Sequence, residues 1–211
     1  MTRRDDQRRA TEARIVEAAV ESLIERGYAA TTAQGVQHRI GISRGALLHH
    51  FPTREALSAA AVRRLVELNL RAVREEHESA ADTGDAIARG VLVLYRASRR
   101  PSFATELELW AASRADVELR EALRATERAA LRELDALIDE IFGPGVTGRP
   151  GYRTMVSLTV QFLRGLTISG TMRRHREDDE IVREWTTLMN RLLDDADTGP
   201  DPAVHKADPP A

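Results

Sequence analysis

The sequence predicts an all-α protein of about nine helices in two domains. Three observations predict it. Apolar residues recur every three or four positions, as at Ile15, Ala19 and Leu23 or at Ile181, Trp185, Leu188 and Leu192, which is the period of a helix with one buried face. No stretch shows the strict two-residue alternation of a half-buried strand. The interruptions are helix stops: Gly27, Gly41, Pro52, the run Asp82-Thr83-Gly84-Asp85, and the loop from Gly143 to Gly151.

Residues 1–8 read as a flexible charged arm, either of the kind that reaches phosphates or the minor groove or a plain solvated tail. The first helix is expected over Arg9–Arg26, with Ile15, Ala19 and Leu23 inward and Tyr28 packed behind its glycine stop. The second is expected over Thr32–Ile40. Thr31 and Thr32 offer its N-cap, Val36 and Ile40 share its apolar face, and Gly41 ends it. The third runs from Ser43 to Phe51. The Ser43 hydroxyl can accept from an orphan amide of the first turn, and Pro52 cannot continue the helix. Leu47 and Phe51 lie four apart and mark its buried face. The opposite face carries Arg44, Gly45, Leu48 and His49. A leucine beside a glycine and two donors suits contact with another polymer: Gly45 and Ala46 admit a close backbone, and Arg44 and His49 can donate to phosphates or base edges. Helix, glycine turn, short helix is the helix-turn-helix arrangement. The fourth helix opens at Thr53-Arg54-Glu55 and extends towards Glu78.

Gly27-Tyr28-Ala29-Ala30-Thr31-Thr32, then Gly41-Ile42-Ser43-Arg44-Gly45-Ala46-Leu47, then His49-His50-Phe51-Pro52-Thr53-Arg54-Glu55-Ala56-Leu57 resemble, in order and spacing, the DNA-binding domain of TetR-family transcriptional regulators. The resemblance covers roughly the first sixty residues. It implies a helix-turn-helix domain over 9–69, a regulatory and dimerisation domain over 70–195, and a disordered tail over 196–211. It also implies DNA contacts by Thr32, Gln34, Ser43, Arg44, Gly45, Ala46, Leu48, His49 and His50, with Arg54 standing where the family carries a phosphate-gripping lysine. Leu48 departs from the family's usual tyrosine, Gln37 and Ile40 from its small residues, and Gly35 sits inside the second helix. The implied function is a ligand-responsive repressor that binds a palindromic operator as a homodimer and is released by a small-molecule effector.

Beyond the fourth helix, five more are expected: Asp85–Ser98, one opening at Pro101, Asp116–Ile141, Tyr152–Arg174 and Asp178–Asp194. The eighth is apolar on more than one side, so more than its own domain should cover it. In the family the last two helices pair with their copies, which makes Phe162, Leu166, Trp185, Leu188 and Leu192 dimer-interface candidates. Tyr95, Phe103, Leu107, Trp110, Met155 and Phe162 are candidates for an effector pocket, with Glu106, Glu108, Arg114 or Thr159 as polar hooks. Simple core packing is the alternative for each.

The net charge of −2 divides unevenly. Through Arg64 the chain carries eleven arginines against seven carboxylates, or +4, and the remainder is −6. A basic module on an acidic body suits a nucleic-acid-binding regulator. With no cysteine, neither a disulfide framework nor a thiolate site is available. His49 and His50 are adjacent and point about 100° apart on a helix, and His38, His77, His175 and His205 lack ligand spacing, so no metal is expected. No nucleophile elbow, phosphate loop or dinucleotide fingerprint is present, so neither an enzyme nor a cofactor is expected. Nor is there a signal peptide or membrane span, which predicts a soluble cytoplasmic protein. The competing reading is a helical small-molecule binding protein without operator specificity, kept open by Leu48 and Gly35.

Overall fold

The structure, a computed structural model, describes residues 3–81, 84–170 and 175–198. The chain divides into two compact units. One comprises the chain to Ser79 with Arg96–Leu137, and the other Ala80–Tyr95 with the chain from Ile138. The described residues form helices and no strand.

In the first unit, α1 (Arg3–Ala30) is helical except at Gly27, whose φ of 76° and ψ of 173° break it before Tyr28. The arm expected at residues 1–8 is therefore helical from Arg3. Nothing between Arg3 and Arg26 interrupts a helix, and Asp5 and Asp6 place negative charge at the positive end of its dipole. Then follow α2 (Ala33–Ile40), α3 (Arg44–His50) and α4 (Arg54–Ser79), the last capped by the Thr53 hydroxyl, which accepts from the Ala56 amide at 3.1 Å.

α5 (Ala86–Ser98) begins in the second unit, where Asp85 accepts from the amides of Ile87 and Ala88 at 3.0 and 2.9 Å. α6 (Pro101–Ala112) starts on a proline, whose missing N–H costs nothing in a first turn. α7 (Val117–Phe142) is capped by Asp116, which accepts from the Leu119 amide at 2.9 Å. α6 packs on α1 and α4, so the core of the first unit joins Ile15, Leu23, Val36, Leu47 and Leu65 to Leu109, Leu119 and Leu123. Each such leucine or isoleucine contributes about 1.5–3 kcal/mol by leaving water.

In the second unit the loop expected over 143–151 contains one helical turn, α8 (Pro144–Thr147), which tucks Val146 inward. Pro144 presets the φ of that first turn. α9 (Tyr152–Ser169) and α10 (His175–Thr198) follow and pack on each other. The core holds Ile141, Phe142, Tyr152, Met155, Leu163, Val182 and Leu193. Gly90 of α5 faces Phe142 so closely that an added Cβ would lie 2.4 Å from the ring's Cε1. Residues 196–198, expected in the tail, are helical; the tail from 199 and the end of the eighth helix at 171–174 lie outside the described residues.

Candidate nucleic-acid interface

The helix-turn-helix is fixed by local chemistry at three points. Thr32 caps α2 by accepting from the Gly35 amide at 3.0 Å, and a Cβ on Gly35 would sit 3.3 Å from that hydroxyl oxygen. The glycine inside α2 thus leaves its own cap room to close. Gly41 turns the chain in the left-handed region, at φ 67° and ψ 34°, where glycine has no Cβ penalty. Ser43 caps α3 by accepting from the Ala46 amide at 3.1 Å. Leu47 and Phe51 are buried, and Arg44, Gly45, Leu48 and His49 are exposed. Leu48 keeps 45% of its surface in water, although nothing polar recommends it there. Ala46 and His50 are half-buried at the edges of this face, and Gln34 is exposed on α2.

Arg39 is not part of the free surface. Its guanidinium grips both oxygens of Glu25 at 2.7 and 2.6 Å and reaches Glu21 at 2.9 Å, tying α2 to α1. The hydrogen bond from Arg39 holds the Glu25 carboxyl below its usual range. Arg64 ties α4 to α1 in the same way through Glu17, at 2.8 Å. These braces lock the frame in which α3 is presented, and both arginines are satisfied within the fold.

Arg54, exposed at the start of α4, holds its guanidinium 5.6 Å from the centre of the Tyr28 ring. Tyr28 is itself held twice. Its hydroxyl donates to Asp116 Oδ2 at 2.6 Å, and its amide donates to Glu108 Oε1 at 2.7 Å. The break at Gly27 frees that amide, and a Cβ there would lie 2.7 Å from Glu108 Oε1. Burial first, and then the bond to Asp116, push the Tyr28 hydroxyl up to about 12. The same bond, followed by that from the Leu119 amide, holds the Asp116 carboxyl below its usual range. The parts played by Glu108 and Asp116 escape sequence reasoning because their partners lie 80 and 88 positions away.

The pocket candidates fall in both units. Phe103, Leu107 and Trp110 belong to the first, and Tyr95, Met155 and Phe162 to the second. Three polar hooks are already engaged: Glu106 by the Asn69 side-chain amide, Glu108 by the Tyr28 backbone amide, and Thr159 by the Trp185 indole N–H at 3.1 Å. Among the dimer candidates, Phe162 and Trp185 stack at 4.4 Å with 6° between their planes. Leu166 is buried, Leu192 half-buried, and Leu188 52% exposed. Among the described residues no cluster of His, Asp and Glu could hold a metal ion, and no helix is long and apolar enough to cross a membrane.

A helix-turn-helix carried in an all-helical chain defines the class. Residues 15–61 match the family model described as bacterial regulatory proteins, tetR family. The chain is 28% identical over 182 residues to the HTH-type transcriptional regulator CymR of Pseudomonas putida, covering 86% of this chain and 89% of that one. It is 30% identical over 125 residues to the uncharacterized HTH-type transcriptional regulator Rv2912c of Mycobacterium tuberculosis, covering 59% of this chain. That match spans 64% of the relative's length. Two solved structures share the fold. A Rhodococcus transcriptional regulator has a TM-score of 0.66 at 21% identity, covering 90% of this chain and 99% of that one. The multidrug binding protein EbrR complexed with ethidium has a TM-score of 0.62 at 22% identity, with the same coverage. The tetR-family match is thus confined to the N-terminal helix-turn-helix segment, residues 15–61.

Proposed function

We propose that the chain is a ligand-responsive transcriptional repressor that binds a palindromic operator as a homodimer. The observation that carries this reading is the exposed face of α3. Arg44, Gly45, Leu48 and His49 stand clear of their own chain on a helix whose cap and buried leucine leave it little freedom. Arg44 is the donor suited to a guanine edge, Leu48 can meet a thymine methyl, and Gly45 lets the backbone approach. Thr32, Gln34, Ser43, Ala46, His50 and Arg54 complete the contact, chiefly to phosphates. Two copies would address half-sites about 34–36 Å apart or longer.

The partner for dimerisation is a second copy, through α9 and α10. Leu188 stands 52% exposed on α10 and Leu158 42% exposed on α9. Both flank the stacked pair of Phe162 and Trp185, and a second copy laid there takes this apolar surface out of water. The effector is a small organic molecule, by analogy with the ethidium held by EbrR.

Footprinting on the DNA flanking the chain's own gene tests the reading. Protection of a palindrome that fades steeply with salt is expected. Small-molecule binding with no preferred DNA site would instead favour a helical binding protein without an operator, a reading to which the loss of tyrosine at position 48 lends support.

A further inference from the structure

The stripe of α1 that builds the core does not stop where the core stops. At about 100° per residue, positions 4, 8, 11 and 15 fall along one narrow face of the helix. Ile15 on that stripe is fully buried, Thr11 is half-buried, and Arg8 and Arg4 are exposed. Past Thr11 the stripe has run beyond the packed helices and lies alongside the end of α3. There Arg4, Gln7, Arg8 and Thr11 line one open depression with His49 and His50, and Asp5 is its acidic member. Packing gives no reason for two arginines in line with Ile15. Among the described residues neither of them takes part in an ion pair. His50 Nδ1, shielded from solvent, has no hydrogen-bond partner among the described residues. Arg3 and Arg9 of the same segment point about 100° and 140° away from the stripe.

We propose that the first two turns of α1 form a second contact with the DNA backbone, in which Arg4 and Arg8, with His49 beside them, hold phosphates outside the bases met by α3. The inference rests on the reading that α3 lies on DNA. It adds to that reading a site on another helix, with a stated ligand chemistry. The helix dipole favours it, since the positive end of α1 is the end that meets the anion.

The test is binding of the full chain to a mixed-sequence duplex of about 30 base pairs over a salt series, where each phosphate contact adds about one to the slope of log affinity against log salt. The double variant Arg4→Ala, Arg8→Ala should lower the slope by about two and weaken binding about tenfold or more. The double variant Arg3→Ala, Arg9→Ala removes the same charge from the other side of the helix and should leave the slope near wild type. Lysine at positions 4 and 8 should restore it. Equal slope losses in the two alanine pairs, or none in the first, would overturn this contact alone. A wild-type chain that binds no duplex at low salt would overturn the DNA reading and this contact with it.

Discussion

Tyr28 donates its hydroxyl proton to Asp116 across 2.6 Å, joining the turn after the break in α1 to the residue that caps α7. The same tyrosine ring lies beneath the guanidinium of Arg54. One side chain therefore connects the start of α7, the end of α1 and a residue at the proposed DNA surface, all within one compact unit.

Removing that hydroxyl tests the bond. Tyr28→Phe keeps the ring under Arg54 and loses about 1 kcal/mol, which lowers the unfolding midpoint by about 2–4 °C at neutral pH. The pH dependence has a definite sign. The folded state raises the tyrosine to about 12, so this contribution is intact below the free tyrosine value and is lost as pH rises through the range up to about 12. The folded state lowers Asp116, so its share is intact above the usual carboxylate range and is lost as pH falls through the lowered value. Thermal melts of wild type and Tyr28→Phe should therefore converge at both ends of the pH scale. A constant gap across pH would contradict the assignment.

Gly90 tests packing in the second unit. A methyl group there would meet the ring of Phe142, which is buried edge-on to Tyr152 with centroids 5.9 Å apart. Alanine gains about 1 kcal/mol of helix propensity, but overpacking of this kind costs about 1–3 kcal/mol. The net expectation for Gly90→Ala is a lower urea midpoint. Adding Phe142→Leu should recover part of the loss, since the smaller side chain vacates the contested space. A glycine variant as stable as wild type would show that the ring relaxes freely.

Leu188 tests the proposed assembly. Leu188→Arg places a charge at an exposed apolar position of α10, where the leucine keeps 52% of its surface in water. Sedimentation should show a shift from dimer to monomer, with the helical content unchanged. Operator affinity should fall with it, because two half-sites are no longer held by one particle. A variant that remains dimeric would move the interface off this face.

Much of this was legible in the sequence because the causes are local. The caps at Thr32 and Ser43, the left-handed turn at Gly41 and the buried pair Leu47 and Phe51 each depend on neighbours within four residues. The exposed face of α3 follows from them. What the sequence hid is non-local or comes from a missing break. Glu108 and Asp116 find Tyr28 only after α6 and α7 fold back on α1. Gly90 reads as an ordinary weak point in a helix until Phe142 arrives opposite it. The helical start at Arg3 was missed because a run of charged residues resembles an arm. Charge alone does not unwind a helix whose first turn carries Asp5 and Asp6. Leu166 shares the helical phase of the other interface candidates, yet it is buried in the single chain, a distinction that periodicity does not make.

The most direct test compares Arg44→Ala with Arg3→Ala on the operator recovered by footprinting, at fixed salt. Arg44 is exposed on α3 with its cap intact, and Arg3 lies off the stripe of α1 that faces α3. Loss of a base-contacting arginine costs about 1–3 kcal/mol, so Arg44→Ala should bind about five- to 150-fold more weakly and discriminate less against mutated operators. Arg3→Ala should bind nearly as wild type does. Equal losses in the two variants, or none in Arg44→Ala, would contradict the claim that α3 reads the DNA.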